Sequence, residues 1–112
     1  KKAGKSLREA FLYASENYSK IIKVFNIFKV EGLSMLPNFR PSRFVLTKRT
    51  NKICDNDVVV IKTNSNELII KRVLDHNKDS LNVISDNKDY PSVFNNQTFS
   101  KKNIVGKVIF KF

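Results

Sequence analysis

Ser34 stands in Val30-Glu31-Gly32-Leu33-Ser34-Met35-Leu36-Pro37, where a strand-like run ends at Gly32 and Pro37 stops regular structure from continuing. A serine in such a turn can expose its hydroxyl. Gly32 lets the backbone approach a substrate, and a backbone N–H there could serve an oxyanion hole. The same features also describe an ordinary turn serine. A second segment, Glu67-Leu68-Ile69-Ile70-Lys71-Arg72-Val73-Leu74, reads as a strand with Ile69, Lys71 and Val73 on one face. A lysine between apolar same-face neighbours is partly desolvated, which disfavours the ammonium and can leave a neutral amine to act as a general base. The alternative is a lysine that carries its head out to solvent from an edge strand. The chain has one histidine, His76, in the polar stretch Asp75-His76-Asn77-Lys78-Asp79, which reads as an exposed loop. A Ser–Lys pair is then the remaining known way to activate a serine.

Composition narrows the field further. The 112 residues carry 21 Lys+Arg against 10 Asp+Glu, a formal net charge of +11, and suit one domain. One cysteine, Cys54, leaves no internal disulfide framework, and with one histidine no multi-ligand metal site; neither a metal nor a cofactor is expected. No run approaches the ~18–20 apolar residues of a membrane span. The basic excess is concentrated before residue 51, with 11 Lys/Arg against 3 Glu. Such a field fits nucleic acid, an anionic membrane surface or an acidic protein, and equally a solvated surface. No aromatic–basic RNA-binding pattern or helix-turn-helix accompanies it.

The elements that must position Ser34 and Lys71 are mostly short strands. Ser6 and Glu9 fit a capping box, and Leu7, Phe11, Ala14 and Tyr18 form a stripe, so a helix is expected over Ser6–Lys20. It either packs on the domain or lies at a membrane interface. Strands are expected at Ile27–Glu31, Phe44–Lys48, Asp57–Thr63, Glu67–Leu74, Leu81–Ser85 and Ile104–Phe110, each rich in Val, Ile or Phe and bounded by turn formers. Thr63–Asn66 and Asn77–Ser80 read as hairpin loops, and Pro91–Lys102 as an irregular surface loop. The expected whole is a mainly β domain in the manner of a partly closed barrel, with a helical segment over 1–26 and a β-rich core over 27–112.

The segment around Ser34 resembles the nucleophile motif of the Ser–Lys peptidases, the superfamily of type I signal peptidases and LexA-like repressor domains. The likeness continues in order along 27–112. Phe44-Val45-Leu46-Thr47 matches the strand after the nucleophile. Asp55-Asn56-Asp57-Val58-Val59-Val60 is similar to the family's Gly-Asp-Val-Val-Val, and Ile70-Lys71-Arg72-Val73 to the segment bearing its general base. Ser85-Asp86-Asn87 stands for Gly-Asp-Asn, and Ile104-Val105-Gly106-Lys107-Val108 for the closing strand. The resemblance implies an endopeptidase of compact β fold. Ser34 would be the nucleophile, with its N–H in the oxyanion hole, and Lys71 the general base. Gly32 and Met35 would be substrate-binding, and small residues would be preferred in the substrate. An extended peptide would pair with the strand Phe28–Gly32. The sequence departs from the family at Ser42-Arg43, where Gly-Asp is usual. It also has Gly32 where signal peptidases can carry an oxyanion-donating serine, and it lacks their Asp-Ser-Arg. Asn87-Lys88-Asp89-Tyr90-Pro91 is closer to the LexA-like branch.

The expected partner is a protein or peptide substrate. Cleavage in trans by a processing enzyme is favoured over self-cleavage, for which Ala3-Gly4 is the only pair of the usual kind, and it sits in a lysine-rich stretch read as leading into a helix. A non-catalytic basic β-module that binds nucleic acid is a third, remoter reading, and lacks stacking aromatics interleaved with basic residues. Because the sequence starts at Lys1, a lost upstream segment is expected. That segment would decide between a cytoplasmic and a membrane-associated location, and nucleic acid would be met only through it.

Overall fold

The computed structural model describes residues 24–90 and 92–112. The helix expected over Ser6–Lys20 lies outside them. Seven strands follow: β1 (Phe25–Lys29), β2 (Phe44–Lys48), β3 (Val58–Lys62), β4 (Leu68–His76), β5 (Ser80–Ile84), β6 (Thr98–Ser100) and β7 (Ile104–Lys111). All pair antiparallel in one sheet of order β1-β2-β7-β3-β4-β5-β6. Two tight hairpins match the turn chemistry. Asn66 takes a left-handed φ of 66° as the chain turns from β3 to β4, and the Asn77 N–H bonds Ser80 C=O at the β4–β5 turn.

Three expectations need correction. β1 begins at Phe25, inside the segment expected to be helical, and ends at Lys29. His76 closes β4 instead of lying in a loop, its Nδ1 2.8 Å from the Asp55 carboxylate. The Pro91–Lys102 stretch is not wholly irregular: Thr98–Ser100 forms the edge strand β6, anchored by the one buried side chain of the three, Phe99.

β3 explains the centre of the sheet. Its run Val58-Val59-Val60-Ile61 is buried at every position, as a strand covered on both faces requires. Val59 and Ile61 join Ile53, Ile69, Val73, Leu81, Val83 and Phe99 in one core cluster. Val58 joins Val30, Met35, Phe39 and Val45 in the other. β7 carries two register shifts, opposite Leu46/Thr47 and Val60/Ile61. Bulges of this kind bend a strand and increase its twist. At Gly106, between them, a Cβ would stand 2.8 Å from Thr47 Oγ1, so close packing of β7 on β2 requires glycine there. The curled sheet brings β1 and β4, with three strands between them in sheet order, to line a single cleft.

Candidate active site

The Ser34 turn is an excursion between β1 and β2. Its base is pinched where the Val30 N–H bonds Arg43 C=O and the Ser42 N–H bonds Val30 C=O, both at 2.8 Å. Gly32 opens the turn with φ +82°, in the left-handed region that glycine enters without cost. Ser42 closes it with φ 70°. A conformation there that favours glycine accounts for the usual Gly in the related motif. Asn56, at φ 74°, fills the corresponding place before β3, and asparagine tolerates that region. Two side chains peg the turn to the core: Met35, 1% exposed, and Phe39, 8% exposed. The ring of Phe39 also lies under the Lys111 ammonium, which donates to Asn38 C=O at 2.6 Å.

Met35 is therefore not where it was expected. It points into the core, with its Sδ accepting the Asp86 N–H at 3.5 Å, and it anchors the turn instead of facing a substrate. Gly32 and Ser34 do line the cleft. Backbone groups of the turn are held from the other side by Asn87. Its N–H donates to Ser34 C=O and its side-chain amide to Leu33 C=O, each at 2.9 Å.

Lys71 lies on the inner face of β4. The alternation runs as the sequence indicates: Ile69, Lys71 and Val73 are buried, while Leu68, Ile70 and Arg72 are exposed or half-buried. Lys71 is 4% exposed, and its Nζ donates to Ser34 Oγ at 3.1 Å. Burial pushes its pKa below the usual 10.5, and the negative charge of Glu67 partly opposes that shift. The amine is thus drawn toward its neutral form while touching a serine hydroxyl.

The opposite face of β4 carries a clamp that the sequence did not reveal. Arg72 donates to both carboxylate oxygens of Asp86, from Nε at 2.7 Å and Nη2 at 2.8 Å, and its Nη1 donates to Asn56 C=O. Asn38, from the Ser34 turn, donates to Asp86 at 2.8 Å. Burial alone would push the Asp86 carboxyl up. The hydrogen bonds from Arg72 and Asn38 and the charges of Arg72 and Lys111 outweigh it and hold the group below its usual 3.8. The same pairing raises the Arg72 guanidinium above its ordinary range. Three separate segments meet at this one carboxylate, the Ser34 turn among them, and Arg72 ties in a fourth through Asn56. The sequence signal was Asp86-Asn87 following the Lys-Arg pair, but its partners are distant in the chain.

Ser34 and Lys71 open into a cleft of about 560 Å³. Val30, Val45, Val60 and Ile70 supply apolar walls, and the edge strand β1 runs along it. Cys54 is exposed and unpaired with any other cysteine, well suited to its place in the turn before β3. No helix among the described residues is long and apolar enough to cross a membrane.

Comparison with curated proteins gave no match. A family model does match, over residues 6–109 and under the description Peptidase S24-like. The match spans nearly all of the strands just described. The chain belongs to the Peptidase S24-like family, within the superfamily of Ser–Lys peptidases that includes LexA-like and signal peptidases.

Proposed function

We propose that the protein is a serine endopeptidase in which Ser34 is the nucleophile and Lys71 the general base, acting in trans on an extended segment of another protein. The observation that carries this reading is the 3.1 Å approach of Lys71 Nζ to Ser34 Oγ at a lysine only 4% exposed. With the amine neutral, its lone pair accepts the Ser34 proton as Oγ adds to the scissile carbonyl. The Ser34 N–H, which bonds no described residue, is available to the oxyanion. Collapse of the tetrahedral adduct breaks the C–N bond, and the Lys71 ammonium returns its proton to the leaving amine. Water then adds to the acyl ester with Lys71 again taking a proton, and Ser34 is regenerated. A substrate strand beside β1 would place its carbonyl over Ser34, and the apolar cleft walls favour small side chains next to the cut.

The test is peptide cleavage by the wild type and by Ser34→Ala, Lys71→Ala and Lys71→Arg, each checked for folding by circular dichroism. All three are expected to be inactive, the last because a guanidinium stays protonated. Cleavage at the wild-type rate by any of them removes the dyad. Asn87-Lys88-Asp89-Tyr90-Pro91, similar to the LexA-like branch, favours a second reading, self-cleavage. A cleavage rate per molecule that is independent of protein concentration supports that reading over action in trans.

A further inference from the structure

Ser85 is the buried hydroxyl that this chemistry leaves unused. It is 5% exposed, and its Oγ has no hydrogen-bond partner among the described residues. A buried hydroxyl left unsatisfied costs free energy, so its position calls for a reason. The register supplies one. β4 and β5 pair Val73 with Val83 and Arg72 with Ile84, and one further step sets Ser85 opposite Lys71. The Val73 N–H and C=O both point toward the β3 side, to Asp57 and Asn56. Alternation turns those of Arg72 toward Ile84, which makes Lys71 and Ser85 a non-hydrogen-bonded pair, the kind whose side chains stand closest. The Ser85 N–H accordingly turns away, to Asn95 Oδ1 at 2.9 Å. Ser85 shares the inner face with Val83 and Lys71. The two residues after it, Asp86 and Asn87, bond Met35 and Ser34. The residue is thus set between the lysine-bearing strand and the segment that holds the serine turn.

The related motif carries glycine at this place, yet Ser85 is not among the residues with a left-handed φ. No backbone demand keeps a side chain out. We propose that Ser85 is a positioning residue for Lys71, its hydroxyl oxygen accepting an N–H of the lysine amine when that amine takes up the Ser34 proton. This deepens the dyad reading and rests on it. An amine that becomes an ammonium gains a third N–H and needs acceptors beyond Ser34 Oγ. The lysine's other flanking positions in the sheet are apolar: Val59 is directly opposite on β3, and Ile69 and Val73 lie to either side along β4. The charged and titratable groups that face the cleft are Lys29, Glu31, Glu67 and Tyr90, while the Arg72–Asp86 pair occupies the other face of β4. Of these, Glu67 acts on Lys71 through its charge.

The experiment is side-chain NMR titration of Lys71 in the full chain labelled at lysine, its signal assigned by loss in Lys71→Met, compared among the wild type, Ser85→Ala and Ser85→Thr. Ser85→Ala is expected to lower the pH at which Lys71 titrates by about one unit, the worth of one charge-assisted hydrogen bond. Its kcat falls with KM unchanged. Ser85→Thr, which restores the hydroxyl, is expected to track the wild type. A Ser85→Ala titration that superposes on the wild type overturns the assignment, and so does a Ser85→Thr curve that follows Ser85→Ala, since the effect would then be packing alone. The titration needs no substrate. Failure of the dyad reading would appear separately, as peptidase activity surviving in Ser34→Ala or Lys71→Ala.

Discussion

Replacing Arg72 by methionine keeps the aliphatic stem and removes the guanidinium from the clamp on Asp86. Arg72 supplies two of the three side-chain donors on that carboxylate, leaving Asn38 alone. The Asp86 side chain is 6% exposed, so the orphaned charge cannot rehydrate in place. Breaking a fully buried pair by removing one partner costs about 3–5 kcal/mol. Arg72 itself is 28% exposed, and the Lys111 charge remains nearby, so solvent and the second cation soften the loss. A cost of about 2–3 kcal/mol is expected, which lowers the urea midpoint by roughly 1–2 M at an m-value near 1.5 kcal/mol/M. The pH dependence gives the diagnosis. In the wild type the folded carboxyl lies below its usual 3.8, so its contribution is complete above that value and is lost as pH falls through the folded pKa. In Arg72→Met, desolvation goes unopposed by the guanidinium and the Asp86 pKa rises. The variant then sheds its penalty by protonation while the wild type still holds its pair. The gap between the two proteins should be widest near pH 7 and narrow steadily on acidification. A loss under 0.5 kcal/mol, or a gap that is the same at every pH, would refute the clamp as an electrostatic device.

Three further outcomes follow from single positions. Lys71→Met should be inactive yet more stable than the wild type at pH 7. Burial lowers the lysine's pKa in the folded state, so wild-type stability rises with pH from that lowered value up to the ordinary 10.5, and denaturation across that window should show the advantage of the variant closing. Met35→Ala should cost about 2–4 kcal/mol by chemical denaturation, because it empties a fully buried site, and it should also reduce cleavage by freeing the Ser34 turn. Ser42→Gly should raise stability by about 0.5 kcal/mol or more, as glycine accepts the left-handed φ that serine occupies under strain; a decrease would mean that the side chain compensates.

The inward placement of Lys71 was more legible in the sequence than the contacts that surround it. Lys71 could be found because a lysine flanked by Ile69 and Val73 on a period-two strand is forced toward the interior. β2 emerged with its limits correct, since Phe44–Lys48 is β-rich and closed by turn residues. β6 was hidden because three residues with one apolar side chain carry no periodicity, and Phe99 becomes a core residue only through contacts far along the chain. Met35 was misassigned for a similar reason. Adjacency to Ser34 says nothing about direction, and in a turn the next side chain can point the opposite way. The Arg72–Asp86–Asn38 clamp joins positions whose proximity arises only when the sheet forms, and no local pattern records it.

The place of β7 has a consequence for the order of events during synthesis. Ser34 is carried by the β1–β2 pair and Lys71 by the β3–β4 pair, and β7, last of the seven to be made, lies between them and pairs with both. A nascent chain extending only as far as β6 holds the serine and the lysine on two hairpins that no strand yet joins. Closing that gap requires contacts distant in sequence, which form late because the chain entropy is spent before they repay it. The sheet between the two hairpins is therefore closed only when β7 slots in, whereas Asn87 on Ser34 and the Arg72–Asp86–Asn38 clamp, all made earlier, can already hold the serine turn against β4.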